Sequence, residues 1–121
     1  SILLMAAIYV SNLVINCGAT FTQKFELENV TSNSALELTG FTVASKMRKH
    51  RSSVAAAATF TCSVQDPQNG VIQLQLTSGQ TTKIKPGRYQ YDVNVAKAGE
   101  VTRVVEGSVL VRQATTRDDE V

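Results

Sequence analysis

Tryptophan is absent from the 121 residues, histidine occurs once, and there are only two cysteines and two prolines. Each scarcity removes a class of function. A catalytic triad or a zinc centre would have to be built around His50. That residue stands in Lys46-Met47-Arg48-Lys49-His50-Arg51, among cations at a strand end, with no carboxylate nearby in sequence to orient the ring. Cys17 and Cys62 are too few for a disulfide framework and lack the Cys-x-x-Cys spacing of zinc and redox motifs. They read as two buried small side chains, with a bridge between them as the alternative. Twelve Lys and Arg against ten Asp and Glu leave a net charge of +2, short of the basic stripe that neutralises phosphates, so nucleic acid is not an expected partner. No run approaches the roughly 20 apolar residues that cross a bilayer, so no membrane contact is expected.

The opening run Ile2-Leu3-Leu4-Met5-Ala6-Ala7-Ile8-Tyr9-Val10 has no positive flank before it and no clear small-residue cleavage site after it. Secretion by a signal peptide is therefore not expected. Met5 stands where a start codon would place it, so residues 1–5 read as an extension or cloning remnant. Residues 6–114 read as one domain, and 115–121 as a frayed tail or a tail that orders on a neighbouring subunit.

What the chain has is alternation. Phe21, Phe25 and Leu27 alternate with Thr22, Lys24 and Glu26; Phe41, Val43 and Met47 with Thr42, Lys46 and Arg48; Phe60, Cys62 and Val64 with Thr61, Ser63 and Gln65. Ile72, Leu74 and Leu76 repeat the pattern, as do Tyr89, Tyr91, Val93 and Val95. Period two marks strands with one buried face. Asp66-Pro67-Gln68-Asn69-Gly70 supplies a turn, and Lys97-Ala98-Gly99-Glu100 joins two alternating runs as an antiparallel hairpin. Buried parity changes between Leu38 and Phe41, which predicts a bulge or bend at Gly40. Ser78 to Ile84 allows a single helical turn capped by Ser78, and Val54 to Ala58 a loop leading into the Phe60 strand. The expected fold is all-β, an immunoglobulin-like antiparallel β-sandwich, although no Cys-Trp-Cys core is available.

Chemistry is sparse. The carboxylates are scattered, and alternation sends Glu26, Asp92 and Glu106 outward. There is no nucleophile elbow, phosphate loop or dinucleotide fingerprint, so no catalytic, metal or cofactor residue is assigned and no cofactor is expected. Lys46, Arg48, Lys49 and Arg51 form the one concentration of charge and the candidate partner contact, suited to an acidic glycan or an acidic protein patch. Alternatively they are a solvated edge whose charge discourages strand pairing. Tyr89 and Tyr91 are expected to pack inside, each hydroxyl needing a partner. Asn29-Val30-Thr31 is an isolated glycosylation sequon.

The stretch from Ile72 to Val93, with Pro86-Gly87-Arg88-Tyr89-Gln90-Tyr91-Asp92 at its heart, and the later Val104-Val105-Glu106-Gly107-Ser108-Val109 resemble small virion proteins of tailed bacteriophages, in particular structural proteins of contractile-tailed phages that infect marine cyanobacteria. Phe21 to Leu27 and Leu38 to Val43 fit the same pattern. The resemblance implies a non-enzymatic structural protein of the tail, baseplate or head surface, assembled in the host cytoplasm. Its expected partners are further copies of itself or other virion proteins. Gly40, Pro86, Gly87, Tyr89, Tyr91 and Gly107 are expected to determine the fold, Gly107 by letting a neighbour approach or the strand bend. The competing expectation is a recognition module that binds a host-surface glycan or partner protein through loops at one end of the sandwich, namely Asn29 to Ala35 and Lys49 to Ser53.

Overall fold

The alternating stretches become strands because an extended chain sends successive side chains to opposite faces, so each stretch buries one row and wets the other. The computed structural model of the chain describes residues 9–29 and 34–115. The elements are β1 (Tyr9–Val10), β2 (Leu13–Asn16), β3 (Phe21–Glu26), β4 (Glu28–Asn29), β5 (Ser34–Ala35), β6 (Thr42–Arg48), β7 (Ala58–Thr59), β8 (Thr61–Asp66), β9 (Val71–Leu76), α1 (Ser78–Thr82), β10 (Gly87–Lys97) and β11 (Glu100–Arg112). Expectations that fall on residues 1–8, 30–33 and 116–121 lie outside the described residues.

Two sheets make an all-β sandwich. The smaller has the order β3-β9-β8; the larger runs β11-β10-β6-β7, with β1 and β2 lying one after the other along the outer edge of β11. Those two short strands pair with β11 in parallel, and the rest of the larger sheet is antiparallel. Ile72, Leu74 and Leu76 from one sheet and Met47, Tyr91, Val93, Val95, Val105 and Val109 from the other are buried in one core. Each such side chain withdrawn from water contributes about 1.5–3 kcal/mol. Phe60 marks the point where the chain leaves β7 in the larger sheet for β8 in the smaller. Its ring lies 5.8 Å from that of Phe21 in a tilted contact and 6.2 Å from that of Tyr91 edge to face, linking the sheets.

The parity change at Gly40 is a tight turn: the Phe41 N–H donates to the Leu38 carbonyl at 3.0 Å, and Gly40 holds φ +81°. A side chain is strained at that φ, so glycine fits there. A second parity change, in β11, is a bulge. Val93 pairs with Val105 but Asn94 pairs with Arg103, leaving Val104 as the extra residue, and Val104 and Val105 are both buried.

Two expectations need correction. The helical turn is capped by Thr77, not Ser78. The Thr77 hydroxyl accepts the Gln80 N–H at 3.2 Å while the Gln80 side chain accepts the Thr77 N–H at 2.8 Å, a reciprocal box that only Thr-x-x-Gln spacing closes. The cysteines are half-buried, not fully buried, and unbridged. They sit at the margin of the core, where the Cys17 thiol donates to the Ile84 carbonyl at 3.4 Å and the Cys62 thiol to that of Phe60 at 3.5 Å.

Candidate functional site

On the outer face of the larger sheet, cross-strand register builds a charged row. Lys46 of β6 lies opposite Asp92 of β10, which lies opposite Glu106 of β11. Arg48 and Gln90 form the adjacent row. On the other side, the bulge brings Arg103 opposite Asn94, so its guanidinium reaches back to Asp92 at 3.3 Å and to Glu106 at 4.0 Å. After β6 the chain folds back at a turn in which Ser53 N–H donates to the His50 carbonyl at 3.0 Å and His50 N–H to the Ser53 hydroxyl at 3.1 Å. Arg48 Nε donates to the Ser53 carbonyl at 3.1 Å, tying this loop to the sheet, and Arg51 extends to Glu106 at 3.1 Å. Lys46, Arg48, Arg51, Gln90, Asp92 and Arg103 line the resulting open cleft of about 230 Å³.

Four cations, Lys46, Arg48, Arg51 and Arg103, share this face with two carboxylates, Asp92 and Glu106. Both carboxylates are engaged by Arg51 and Arg103; among the described residues Lys46 and Arg48 form no ion pair. Solvent-exposed pairs of this kind contribute only about 0–1 kcal/mol each, so they orient side chains more than they stabilise the fold. The surplus positive charge favours an incoming acidic group.

Lys49 does not join the cluster. Its ammonium sits 4.9 Å from the centre of the Tyr89 ring at the start of β10, a cation–π contact. Arg103 lines the cleft instead. Of the two loops expected to bind together, residues 30–33 of the first lie outside the described residues. The flanking segment around β4 and β5 is tied to the turn before β9, with Leu27 N–H donating to the Gly70 carbonyl and Leu38 N–H to that of Pro67, while in the second loop Lys49 lies beside Gly87 and Tyr89. His50 is exposed.

No protein-family model matches the chain, and no curated protein matches it.

The residues expected to determine the fold have definite tasks. Pro86 and Gly87 lead into β10, whose Tyr89 and Tyr91 face the core. The Tyr89 hydroxyl donates to the Lys85 carbonyl at 2.5 Å and the Tyr91 hydroxyl to the Ser11 carbonyl at 2.6 Å. Gly107 lies directly across from Tyr91, and a Cβ there would stand 2.1 Å from the Ser11 oxygen. The missing side chain lets the chain between β1 and β2 dip over β11 and present a carbonyl to Tyr91. Asn12 completes the crossing by accepting from the Ser108 N–H at 3.1 Å and the Ser108 hydroxyl at 3.0 Å.

Reactive groups are subdued. Burial pushes the Cys62 thiol up to about 11, a rise partly opposed by a hydrogen bond with the Ser45 backbone. It is thus a poor nucleophile at neutral pH. Burial likewise pushes the Tyr91 hydroxyl up to about 12, with the bond to Ser11 acting the other way. Among the described residues no group of three or more His, Cys, Asp and Glu converges to hold a metal.

Proposed function

We propose that the chain is a non-enzymatic structural protein of a bacteriophage virion, assembling through the surfaces of its β-sandwich in the tail, baseplate or head surface. The observation that carries this reading is the outer face of the larger sheet, an open cleft in which Lys46 and Arg48 form no ion pair among the described residues, bordered by the Arg51–Glu106 and Arg103–Asp92 pairs. It is shaped for a complementary surface, not for enclosing a small molecule, since ligand pockets bury most of what they bind. The phage-like motif adds support, because its distinctive residues serve the fold: Tyr89 and Tyr91 as hydroxyl anchors and Gly107 as a crossing point.

The immunoglobulin-like variant of the sandwich draws support from strand order. The smaller sheet, β3-β9-β8, and the β6-β10-β11 core of the larger follow the B-E-D and C-F-G orders of that architecture. Tyr89, near the start of β10 and bonded to a carbonyl four residues upstream, resembles the tyrosine corner of such domains.

Light scattering of the purified chain over a range of concentrations tests the assembly reading. A discrete multimer is the expected result. A chain that stays monomeric throughout and binds no virion protein would overturn it.

A further inference from the structure

We infer that a second copy of this chain adds its own β3 antiparallel to the open edge of β3, with Lys24 of each copy opposite Glu26 of the other. The inference rests on the assembly reading and names the edge that assembly uses. The first support is the edge itself. β3 pairs with β9 from Phe21 to Glu26 without a register shift, and among the described residues no strand lies on its other side. In the immunoglobulin-like order the first strand of the chain covers that edge; here β1 and β2 lie on β11 in the larger sheet instead. The Leu27 N–H donates to the Gly70 carbonyl at 2.9 Å, on the β9 side. Alternation then turns the N–H and C=O groups of Thr22, Lys24 and Glu26 outward. The Gln23 side chain agrees with that direction, donating to the Lys24 carbonyl at 2.9 Å, a bond that the Glu26 N–H of a second copy replaces. Other edges are less suited: β8 is broken by the bulge at Gln65, and β1, β2 and β7 are only two to four residues long.

The second support is register. Residues with outward backbone groups must face one another, so an even-numbered residue of one copy pairs with an even-numbered residue of the other. A two-fold axis at Phe25 sets Lys24 against Glu26, Glu26 against Lys24 by symmetry, and Thr22 against Glu28. Moving the axis by one residue sets Lys24 against Lys24 or Glu26 against Glu26, like charges directly opposed. The register centred on Phe25 alone gives both charges an opposite partner. It also brings together the two Phe25 side chains, each partly buried against its own core. They meet as a non-hydrogen-bonded pair, the arrangement in which cross-strand side chains come closest. Two copies joined this way share one continuous sheet in the order β8-β9-β3-β3-β9-β8.

Sedimentation equilibrium of the full chain measures the contact, and the unaltered chain should show a monomer–dimer equilibrium. Lys24→Glu and Glu26→Lys, each alone, should weaken self-association by about tenfold or more, because the two-fold makes every altered pair occur twice. Both residues are exposed, so each variant should fold as the parent does. Mixed in equal amounts, the two variants should regain the affinity of the unaltered chain, since each strand then meets opposite charges throughout. Lys46→Glu, on the other sheet, should leave the dimer unchanged. Single variants that associate as tightly as the parent, or a mixture that stays dissociated, overturn the inference. A multimer insensitive to both β3 variants removes this pairing and leaves assembly standing through another surface. A strictly monomeric chain removes the pairing, and the assembly reading with it if the chain also binds no virion protein.

Discussion

On the outer face of the smaller sheet, Thr22, Gln75 and Thr61 make one cross-strand row and Lys24, Gln73 and Ser63 the next. The corresponding face of the larger sheet carries Lys46, Asp92 and Glu106 in a row, bracketed by Arg48, Arg51 and Arg103. Inward, the two sheets are alike, both lined by aliphatic side chains with little or no exposure. The difference therefore has little to do with core formation. The smaller sheet departs from plain alternation once, at a bulge where Gln65 is the extra residue between the Val64–Ile72 and Asp66–Val71 pairs, and its outer polar groups can be satisfied by water. The larger sheet gathers most of the exceptions: the bulge at Val104, the crossing over Gly107, the two buried tyrosine hydroxyls and the ion pairs. Local exceptions of this kind tend to occur where a protein specifies shape or surface beyond what folding requires.

If that contrast is correct, the most damaging small change lies in the larger sheet. Gly107→Val would drive a side chain into the Ser11 carbonyl, 2.1 Å from where the Cβ must go, and the obstructing atoms are backbone. The strand pair β1 and β2 would be displaced and the Tyr91 hydroxyl would lose its acceptor. A loss of at least about 3 kcal/mol is expected from equilibrium urea denaturation. Ser63→Ala, on the smaller sheet, should change stability by no more than about 0.5 kcal/mol. Comparable losses for the two variants would break the contrast.

Tyr91→Phe probes the same crossing more gently. It leaves the Ser11 carbonyl without its donor at a cost of about 1–3 kcal/mol. It also divides the alkaline behaviour of the two sheets. Tyr91 is raised from 10.0 to about 12 in the folded chain, and Cys62, in the smaller sheet, from 9.0 to about 11. Between the unfolded and folded values the native state binds more protons than the unfolded state, so stability falls as pH rises. The contribution of each group is complete below its unfolded value and is lost as pH climbs through the folded one. Denaturation midpoints should therefore decline from about pH 9 to about pH 12. Cys62→Ala should flatten the first part of that decline and Tyr91→Phe the last. A decline unaltered by either substitution would show that other groups govern it.

The smaller sheet was the easier one to read from sequence. Ile72, Leu74 and Leu76 alternate without interruption, and they are buried as the pattern requires. In the larger sheet the inward tyrosines and the turn at Gly40 were legible, but the bulge was not. Val104 and Val105 are both apolar, so either parity is compatible with the sequence, and the outward position of Arg103 follows only from the bulge. The parallel pairing of β1 and β2 with β11 joins segments nearly a hundred residues apart, which no local pattern encodes. Two misses were recoverable. The Thr-x-x-Gln spacing at Thr77 was present, and Lys49 shares the odd parity of Met47, which directs it away from Lys46 and Arg48 and toward Tyr89.

The helix that connects the sheets ranks next in expected effect. Thr77→Ala removes the hydroxyl that accepts from Gln80 N–H and should cost about 1 kcal/mol. The Thr81 hydroxyl, which donates to the Ala19 carbonyl at 2.9 Å and accepts from Gly18 N–H at 3.1 Å, independently fastens α1 to the end of β2. The cap variant should therefore lower the denaturation midpoint without changing its slope. A change of slope would mean that α1 detaches as a unit and that the sheets are coupled through it more weakly than those bonds imply.

The smallest effect should be a gain, at the far end of the larger sheet. Lys97 pairs with Glu100, so Ala98 and Gly99 form a two-residue hairpin loop, and both have positive φ, 54° and 82°. A loop of that kind has the type I′ form, whose twist matches the flanking strands and whose first position favours asparagine. Ala98 holds the left-handed conformation despite its Cβ, at a cost of about 1 kcal/mol that asparagine partly avoids. Ala98→Asn should stabilise the chain by about 0.5 kcal/mol, read as a raised urea midpoint. The long β10–β11 hairpin carries Asp92, Arg103 and Glu106 together, so a firmer turn should leave their geometry unchanged. A midpoint that stays put or falls would mean that the left-handed backbone at Ala98 carries no strain for asparagine to relieve.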